Sequence, residues 1–160
     1  MGVDGLGNET GQRTFRHAPY HRPLSRRENF DGNKFVHEAL KSGAIGAVTD
    51  NPKNKGKNIY VVENVLSTLQ EIAKKYRETF SIPIIAIGGS NGKTTSKELL
   101  RDVLKTKYKV HTTEGNFNNH IGLPLSVISM SKKTEIGLFE IGANHSREHT
   151  ELLKILKPTH

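Results

Sequence analysis

The sequence predicts an α/β fold: a small, incomplete N-terminal α/β domain followed by the first part of a P-loop parallel-sheet domain. Two observations lead to this prediction. From residue 33 onward, short apolar runs alternate with segments of helical periodicity, and that alternation is typical of parallel sheets. A glycine-rich segment, residues 88–95, also lies between a predicted strand and a predicted helix, where phosphate-binding loops occur.

The composition is that of a globular protein without membrane segments. Its 160 residues, 34% of them hydrophobic, suit one domain or two small ones with a modest core. No apolar run approaches the roughly 20 residues that span a bilayer. Residues 1–13 lack the apolar stretch of a signal peptide. With no cysteine, disulfides and thiolate metal sites are excluded, and we expect a cytoplasmic protein without membrane insertion.

The net charge of +8 raises the question of a nucleic-acid partner. The lysines are scattered, and the densest group, Lys53, Lys55 and Lys57, lies in a predicted turn. No aromatic residues alternate with them as base-stacking platforms would. A solvated basic surface is therefore favoured over a nucleic-acid groove, and its field would also attract anionic nucleotides.

Residues 1–27 differ from the rest of the chain in composition. They contain five arginines and no lysine, whereas the remainder contains three arginines and sixteen lysines. They show neither a helical nor a strand period. Two interpretations stay open: a flexible basic tail, or a segment foreign to the fold that arose from a frameshift, a misassigned start or an expression scar.

Regular patterns begin at residue 33 and predict the first domain, residues 28–81. Asn33 can cap a helix that Gly43 ends. Residues 44–49 and 58–62 are predicted strands on either side of a lysine-rich turn. Asn64 then caps a second helix, whose apolar stripe contains Val65, Leu69, Ile72, Ala73, Tyr76 and Phe80.

The second domain is predicted from residue 82, because residues 81–83 form the clearest boundary. Predicted strands cover residues 84–87, 109–112 and 136–141, the last interrupted by Gly137 and Glu140. Predicted helices cover residues 93–105, 123–130 and 146–156. The buried face of the first of these helices is expected to contain Leu99, Leu100, Val103 and Leu104.

The glycine-rich segment has the chemistry of a phosphate cradle. Glycines let the backbone turn sharply and approach phosphate oxygens, and the N–H groups of the following helix then face the anion. Lys93 supplies a positive charge for the β- and γ-phosphates, and the Thr94 hydroxyl is placed for Mg²⁺. The first glycine of the common motif is replaced by Ile87, so the match extends only from Gly89 to Thr95.

Further candidate residues follow predicted strands. Glu140 lies near the carboxyl end of an apolar strand, where a carboxylate can hold a Mg²⁺ that bridges ATP phosphates. The alternative is a helix-capping or lysine-paired glutamate. Polar residues also crowd residues 116–120 and 144–145, and at least half of the asparagines in the first group are expected to be structural. His145 is a candidate for substrate contact, with a surface or capping role as its alternative.

Three segments together resemble the central domain of the Mur ligase family. They are Gly-Ser-Asn-Gly-Lys-Thr-Thr at 89–95, Glu-Gly-Asn-Phe-Asn-Asn-His-Ile-Gly-Leu-Pro-Leu at 114–125 and Glu-Ile-Gly-Ala-Asn-His at 140–145. Residues 28–35, Glu-Asn-Phe-Asp-Gly-Asn-Lys-Phe, are similar to the uridine-nucleotide domain of those members that add D-Ala-D-Ala. The resemblance covers about residues 28–160.

The resemblance implies an ATP- and Mg²⁺-dependent amide ligase of peptidoglycan synthesis that joins D-Ala-D-Ala to UDP-MurNAc-tripeptide through an acyl phosphate. We expect its full-length form to be monomeric. Lys93 and Glu140 would be catalytic, and Thr94 and Glu140 would bind the metal. The implied cofactor-binding residues are Gly89, Ser90, Asn91, Gly92, Lys93, Thr94 and Thr95. The implied substrate-binding residues are Asp31, Gly32, Asn118, Asn119, Asn144 and His145.

Parts of the family pattern are absent from this sequence. Residues 1–27 do not supply the Asp-Ser/Thr-Arg stretch that precedes Phe-Asp-Gly in the family, and the metal-binding histidine, the carbamylated lysine and the C-terminal domain would follow residue 160. The chain is therefore expected to be a fragment that is inactive alone. The alternatives are a folylpolyglutamate synthase-like ligase, a non-catalytic nucleotide-binding remnant and a P-loop kinase.

Overall fold

The computed structural model describes residues 31–142 and 146–160, so the unusual segment 1–27 lies outside the described residues. The chain divides into two compact units between Val61 and Val62. Both contain parallel strands and helices, which confirms the predicted α/β class.

The first unit contains a 3₁₀ turn (Gly32–Phe35), helix α1 (Val36–Lys41) and strands β1 (Ala47–Thr49) and β2 (Ile59–Val61). The two strands pair in parallel, with Val48 opposite Tyr60, so the lysine-rich segment between them forms a crossover and no hairpin. Inside this connection, the Thr49 hydroxyl accepts hydrogen bonds from the Asn51 N–H and the Asn54 side chain at 3.1 Å each.

The predicted cap of the first helical segment is wrong by two residues. Asp31 precedes the 3₁₀ turn, and its carboxylate accepts a hydrogen bond from the Asn33 N–H at 3.0 Å. The Asn33 side chain instead donates to Asp50 and accepts from Thr49, at 2.8 and 2.6 Å. Asn33 thus ties the turn to the end of β1, a tertiary role that competes with capping. Gly43 follows α1 with φ of +96°, as a helix-ending glycine should.

The second unit is built on a three-stranded parallel sheet of order β3-β5-β4. Its strands are β3 (Ile84–Ile87), β4 (Val110–Thr112) and β5 (Ile136–Glu140). Its helices are α2 (Val65–Arg77), α3 (Lys93–Lys105), α4 (Gly122–Ile128) and α5 (Ser146–Leu156). These bounds agree with the predicted elements to within a few residues. His160 extends the sheet at β3, donating to the Ile84 carbonyl and accepting from the Ala86 N–H.

The core of the second unit forms where α2, α4 and α5 pack together against the sheet. Its buried side chains are Ala73, Phe80, Ile84, Leu123, Val127, Met130, Phe139, Ile141, Leu152, Ile155 and Leu156. A buried arginine, Arg77, closes the end of this core: its guanidinium donates to the carbonyls of Leu156, Phe80 and Lys157 at 2.7–3.0 Å. Charge-assisted bonds to carbonyls left open at helix ends are among the stronger ones.

Helix α2 belongs to the second unit, whereas the sequence places the domain boundary at residues 81–83. The apolar stripe of α2 explains this difference, because Ala73 and Phe80 are buried in the core described above. Asn64 caps α2 as predicted, accepting a hydrogen bond from the Ser67 N–H at 2.9 Å. Ile72, at the margin of the stripe, is exposed.

The prediction for the buried face of α3 is partly wrong. Leu99 and Val103 are 65% and 67% exposed, while Leu100 and Leu104 are half-buried. Lys97 is 1% exposed. Residues 97, 100 and 104 share one side of a helix because they are separated by three and seven positions. This side of α3 faces the sheet, and Lys97 is the residue on it that lies nearest the carboxyl ends of the strands.

His111, in β4, makes the stability of this unit sensitive to pH. Its ring lies 5.5 Å from that of Phe139, and burial lowers its pKa from the ordinary value near 6.5. The unfolded chain therefore binds this proton more readily than the folded chain. We expect full stability above about pH 6.5 and a loss as pH falls towards the lowered pKa. Urea unfolding at several pH values should show this slope, and His111→Gln should lose most of it. An equal slope in both proteins would contradict the assignment.

Candidate nucleotide and cation site

The loop between β3 and α3 has the geometry that the sequence predicts for a phosphate cradle. β3 ends at Ile87 and α3 begins at Lys93, so residues 88–92 turn the chain from strand to helix. Gly89 and Gly92 have φ of +142° and +74°, a region that L side chains rarely adopt. Because Gly92 precedes α3, the open N–H groups of the first helical turn face the space above the loop.

Lys93 folds back over this loop. Its ammonium donates a hydrogen bond to the Gly89 carbonyl at 2.6 Å. A cation so placed over the glycine-rich turn adds to the positive end of the α3 dipole. The loop therefore presents backbone donors and the positive charge of Lys93 to an anion.

Glu140 ends β5 as a 4% exposed carboxylate held at both oxygens. Thr94 donates its hydroxyl to Oε2 at 2.8 Å, and Asn118 donates its side-chain amide to Oε1 at 2.9 Å. The Glu140 backbone N–H donates to the Thr113 hydroxyl at 3.1 Å. The P-loop threonine and the strand-end carboxylate, 46 residues apart, thus meet directly.

Lys97 and Thr113 are two buried members of this network that sequence reasoning missed. The Lys97 ammonium donates to the Thr113 carbonyl at 2.9 Å and lies 3.9 Å from Glu140 Oε2. It is also 3.1 Å from the partly exposed carboxylate of Glu98. The spacing offered a signal for Lys97, since residues four apart share a helix face and Lys93 already marked the face towards the site.

Two asparagines of residues 116–120, the asparagine loop, make different contacts. Asn119 holds the turn that leads into α4: its side-chain oxygen accepts hydrogen bonds from the N–H groups of Ile121 and Gly122 at 3.0 and 2.9 Å. Asn118 holds Glu140, and its backbone carbonyl accepts a bond from the Gly142 N–H at 2.8 Å. A methyl group on Gly142 would lie 2.7 Å from the Asn118 side chain, so only glycine leaves that side chain in place.

These groups surround one cavity of about 610 Å³. Its walls are residues 90–95 of the P-loop together with Asn118, Asn119, Glu140 and Gly142. The structure therefore brings most of the predicted cofactor and metal residues together. Asp31 and Gly32 belong to the other unit, and Asn144 and His145 lie outside the described residues. A second cavity, of about 680 Å³, follows one face of α2 and includes none of the predicted site residues.

The donor set fits a hard divalent cation. The Thr94 hydroxyl and the Glu140 carboxylate are oxygen ligands of the type that Mg²⁺ prefers, and they meet at the wall of the cavity. Because the protein supplies two oxygen ligands, the other positions around an octahedral ion are left to water or phosphate oxygens. Within residues 31–142 and 146–160, no cluster of three or more acidic or histidine side chains could hold a metal.

None of the helices in the described part of the chain is long and apolar enough to cross a membrane.

The fold and the loop between β3 and α3 define a P-loop domain on a parallel sheet. Residues 87–160 match the Mur ligase middle domain family. This part of the chain belongs to the Mur ligase family.

Individual relatives agree with this assignment. The chain is 40% identical over 136 residues to a UDP-N-acetylmuramoyl-tripeptide–D-alanyl-D-alanine ligase of Bacillus subtilis (strain 168), covering 82% of this chain and 29% of that protein. It is 40% identical over 137 residues to the ligase of the same name from Synechocystis sp. (strain ATCC 27184 / PCC 6803 / Kazusa), covering 84% and 30%.

Solved structures show the same similarity. The MurF ligase of Thermotoga maritima in complex with ADP has a TM-score of 0.74 and 36% identity, covering 83% of this chain and 31% of that one. MurF from Acinetobacter baumannii has a TM-score of 0.76 and 31% identity, covering 83% and 30%. The chain thus spans about 30% of the length of the relatives that it matches.

Proposed function

We propose that this chain is the nucleotide-binding part of an ATP-dependent amide ligase that adds D-Ala-D-Ala to UDP-MurNAc-tripeptide during peptidoglycan synthesis. The contact between Thr94 and Glu140 carries the proposal, because it joins a phosphate loop to a cation-binding carboxylate in one cavity. The names of the relatives supply the substrates. The whole reaction is proposed for a protein of the relatives' length, and the 160 residues alone are proposed to bind nucleotide without turnover.

The proposed reaction has two steps. The terminal carboxylate of the tripeptide attacks the γ-phosphorus of ATP, which forms an acyl phosphate and releases ADP. The amine of D-Ala-D-Ala then attacks the acyl carbon, forms the amide bond, releases phosphate and loses a proton. Magnesium bound at Thr94 and Glu140 would supply charge neutralisation for the phosphates.

The chain's own residues act here by position and charge. Backbone N–H groups of residues 89–95 would bind the phosphate oxygens. Lys93 would move from the Gly89 carbonyl to the β- and γ-phosphates, where its charge stabilises the transferring group. Asn118 would keep Glu140 oriented through its 2.9 Å hydrogen bond.

We propose substrate contacts both at the wall of this cavity and outside it. Asp31 and Gly32 are proposed to lie near the uridine nucleotide, and Asn144 and His145 near the peptide or the metal. Asn118 and Asn119 line the cavity and could also be reached by substrate. We also propose a cytoplasmic location, where nucleotide substrates are available, and a monomer for the full-length form.

Removing the Lys93 charge should weaken nucleotide binding strongly. We expect Lys93→Ala to lower the affinity for ATP with Mg²⁺ about 30-fold, because a charge-assisted phosphate contact is lost. Isothermal titration calorimetry on the 160-residue chain measures this directly. Lys105→Ala, at the exposed far end of the same helix, is the matched control and should bind like the parent. Equal affinity in parent and Lys93→Ala, or no binding by the parent, would refute the proposed nucleotide site.

A further inference from the structure

Lys97 is a buried cation without a role in the proposed phosphoryl transfer. It is 1% exposed, yet it lies four residues beyond Lys93 on the P-loop helix. Burying an ammonium is costly unless nearby groups compensate for the lost water. The compensating groups are the Thr113 carbonyl at 2.9 Å, Glu98 at 3.1 Å and Glu140 at 3.9 Å.

The position of this charge matters because Glu140 is a proposed cation ligand. Among the described residues, Lys97 is the one cationic side chain within 4.0 Å of the Glu140 carboxylate. The charged side chains on the cavity wall are Lys93 and Glu140. With Lys97 behind Glu140, two positive charges oppose one negative charge at the place where a divalent cation would enter. Glu98 offsets this less, because its side chain is 37% exposed and therefore screened by water.

We infer that the buried ammonium of Lys97 keeps the Glu140 site closed to a free divalent cation, so that the cation enters together with nucleotide phosphates. Lys97 and a cation bound at Glu140 would be like charges on the same carboxylate, and like charges repel where water is excluded. Thr94 and Glu140 also supply only two oxygen ligands between them, which leaves most positions of an octahedral ion to water or phosphate oxygens. Nucleotide phosphates would add oxygen ligands and offset the charges of Lys93 and Lys97. The inference rests on the proposed function, since it concerns the same cation site.

Binding of Mn²⁺ in the absence of nucleotide tests the inference without requiring turnover. Mn²⁺ can be followed by electron paramagnetic resonance on the 160-residue chain, with and without ADP. We expect weak binding to the parent alone and at least tenfold tighter binding when ADP is present. Tight binding to the parent without nucleotide would overturn the inference.

Lys97→Gln tests whether the charge is the cause. Its amide can still donate to the Thr113 carbonyl while the positive charge is gone. We expect it to bind Mn²⁺ without nucleotide at least tenfold more tightly than the parent, and Glu140→Gln added to it should abolish this gain. Lys97→Arg keeps the charge and should bind as weakly as the parent. Parent-like binding by Lys97→Gln, or tight binding by Lys97→Arg, would overturn the inference.

Two further measurements keep the outcomes distinct. If thermal unfolding shows that Lys97→Gln does not fold, Lys97→Met is the second neutral variant, and the same gain in Mn²⁺ binding is expected of it. Calorimetry with ADP alone separates this inference from the proposed function. A parent that binds no nucleotide refutes the proposed function, whereas a parent that binds ADP but whose neutral variants bind Mn²⁺ no better overturns only the role of Lys97.

Discussion

Gly122→Ala should lower the free energy of unfolding of the second unit by about 3 kcal/mol, at the upper end of what overpacking costs. A methyl group at this position would lie 2.4 Å from the Phe117 Cα and 2.8 Å from the Phe117 carbonyl carbon. Both are backbone atoms, so no side-chain rotation relieves the collision. The asparagine loop and α4 would have to separate, which would also break the two hydrogen bonds from the α4 N-terminus to Asn119.

Urea unfolding followed by circular dichroism measures this loss. Gly88→Ala is the matched control, because its methyl group would meet only the His149 Cε1 atom at an ordinary 3.8 Å. We expect the control to stay within about 0.5 kcal/mol of the parent, as uncrowded surface changes usually do. A Gly122→Ala protein as stable as the control would show that the loop and α4 are not packed as described.

Glu140→Gln should also destabilise the second unit by about 3 kcal/mol, because removing one partner of a buried ion pair leaves the other uncompensated. Lys97 would keep only the partly exposed Glu98 as a counter-charge. The glutamine amide would also point a donor at Thr94 or Asn118, both of which donate to Glu140 in the parent. The same variant should lose the Mg²⁺-dependent part of ATP affinity.

A double-mutant cycle separates the ion pair from simple packing loss. If Lys97 and Glu140 are coupled, Glu140→Gln combined with Lys97→Met should be more stable than the sum of the two single changes predicts, by about 1 kcal/mol or more. Chemical denaturation of all four proteins gives this coupling energy. Strict additivity would mean that the two side chains do not stabilise each other, despite their 3.9 Å separation.

Much of the fold could be predicted because its signals are local. The apolar runs at 84–87 and 136–141 and the helical spacing in 93–105 depend on neighbours along the chain. The first strand and the helix occur with the predicted bounds, and β5 ends one residue earlier than predicted, at Glu140. The phosphate loop is equally local, since it needs glycines at fixed positions between a strand and a helix. The match to the Mur ligase middle domain confirms the family that these segments indicated.

The incorrect predictions share one cause, which is that they depend on residues distant in sequence. Asn33, Leu99 and Val103 were assigned from local rules, but the partner that decides each position is distant in sequence. Asn33 finds Thr49 and Asp50, and the side of α3 that faces the sheet carries Lys97 in place of Leu99. The sequence between β1 and β2 likewise did not predict that the two strands pair in parallel, because its turn-forming residues suit both a tight turn and a crossover.

The sequence by itself determined the α/β class and the position of the glycine-rich loop between a strand and a helix, and it singled out Thr94 and Glu140 as candidates, because each depends on residue type and spacing along a short segment. Only the tertiary structure decided that these two side chains meet at 2.8 Å and that Asn118 and Lys97 hold the same carboxylate. These contacts join the P-loop, the asparagine loop and two strand ends, and burial sets their strength. Whether a lysine lies in water or behind a carboxylate depends on how helix α3 packs on the sheet.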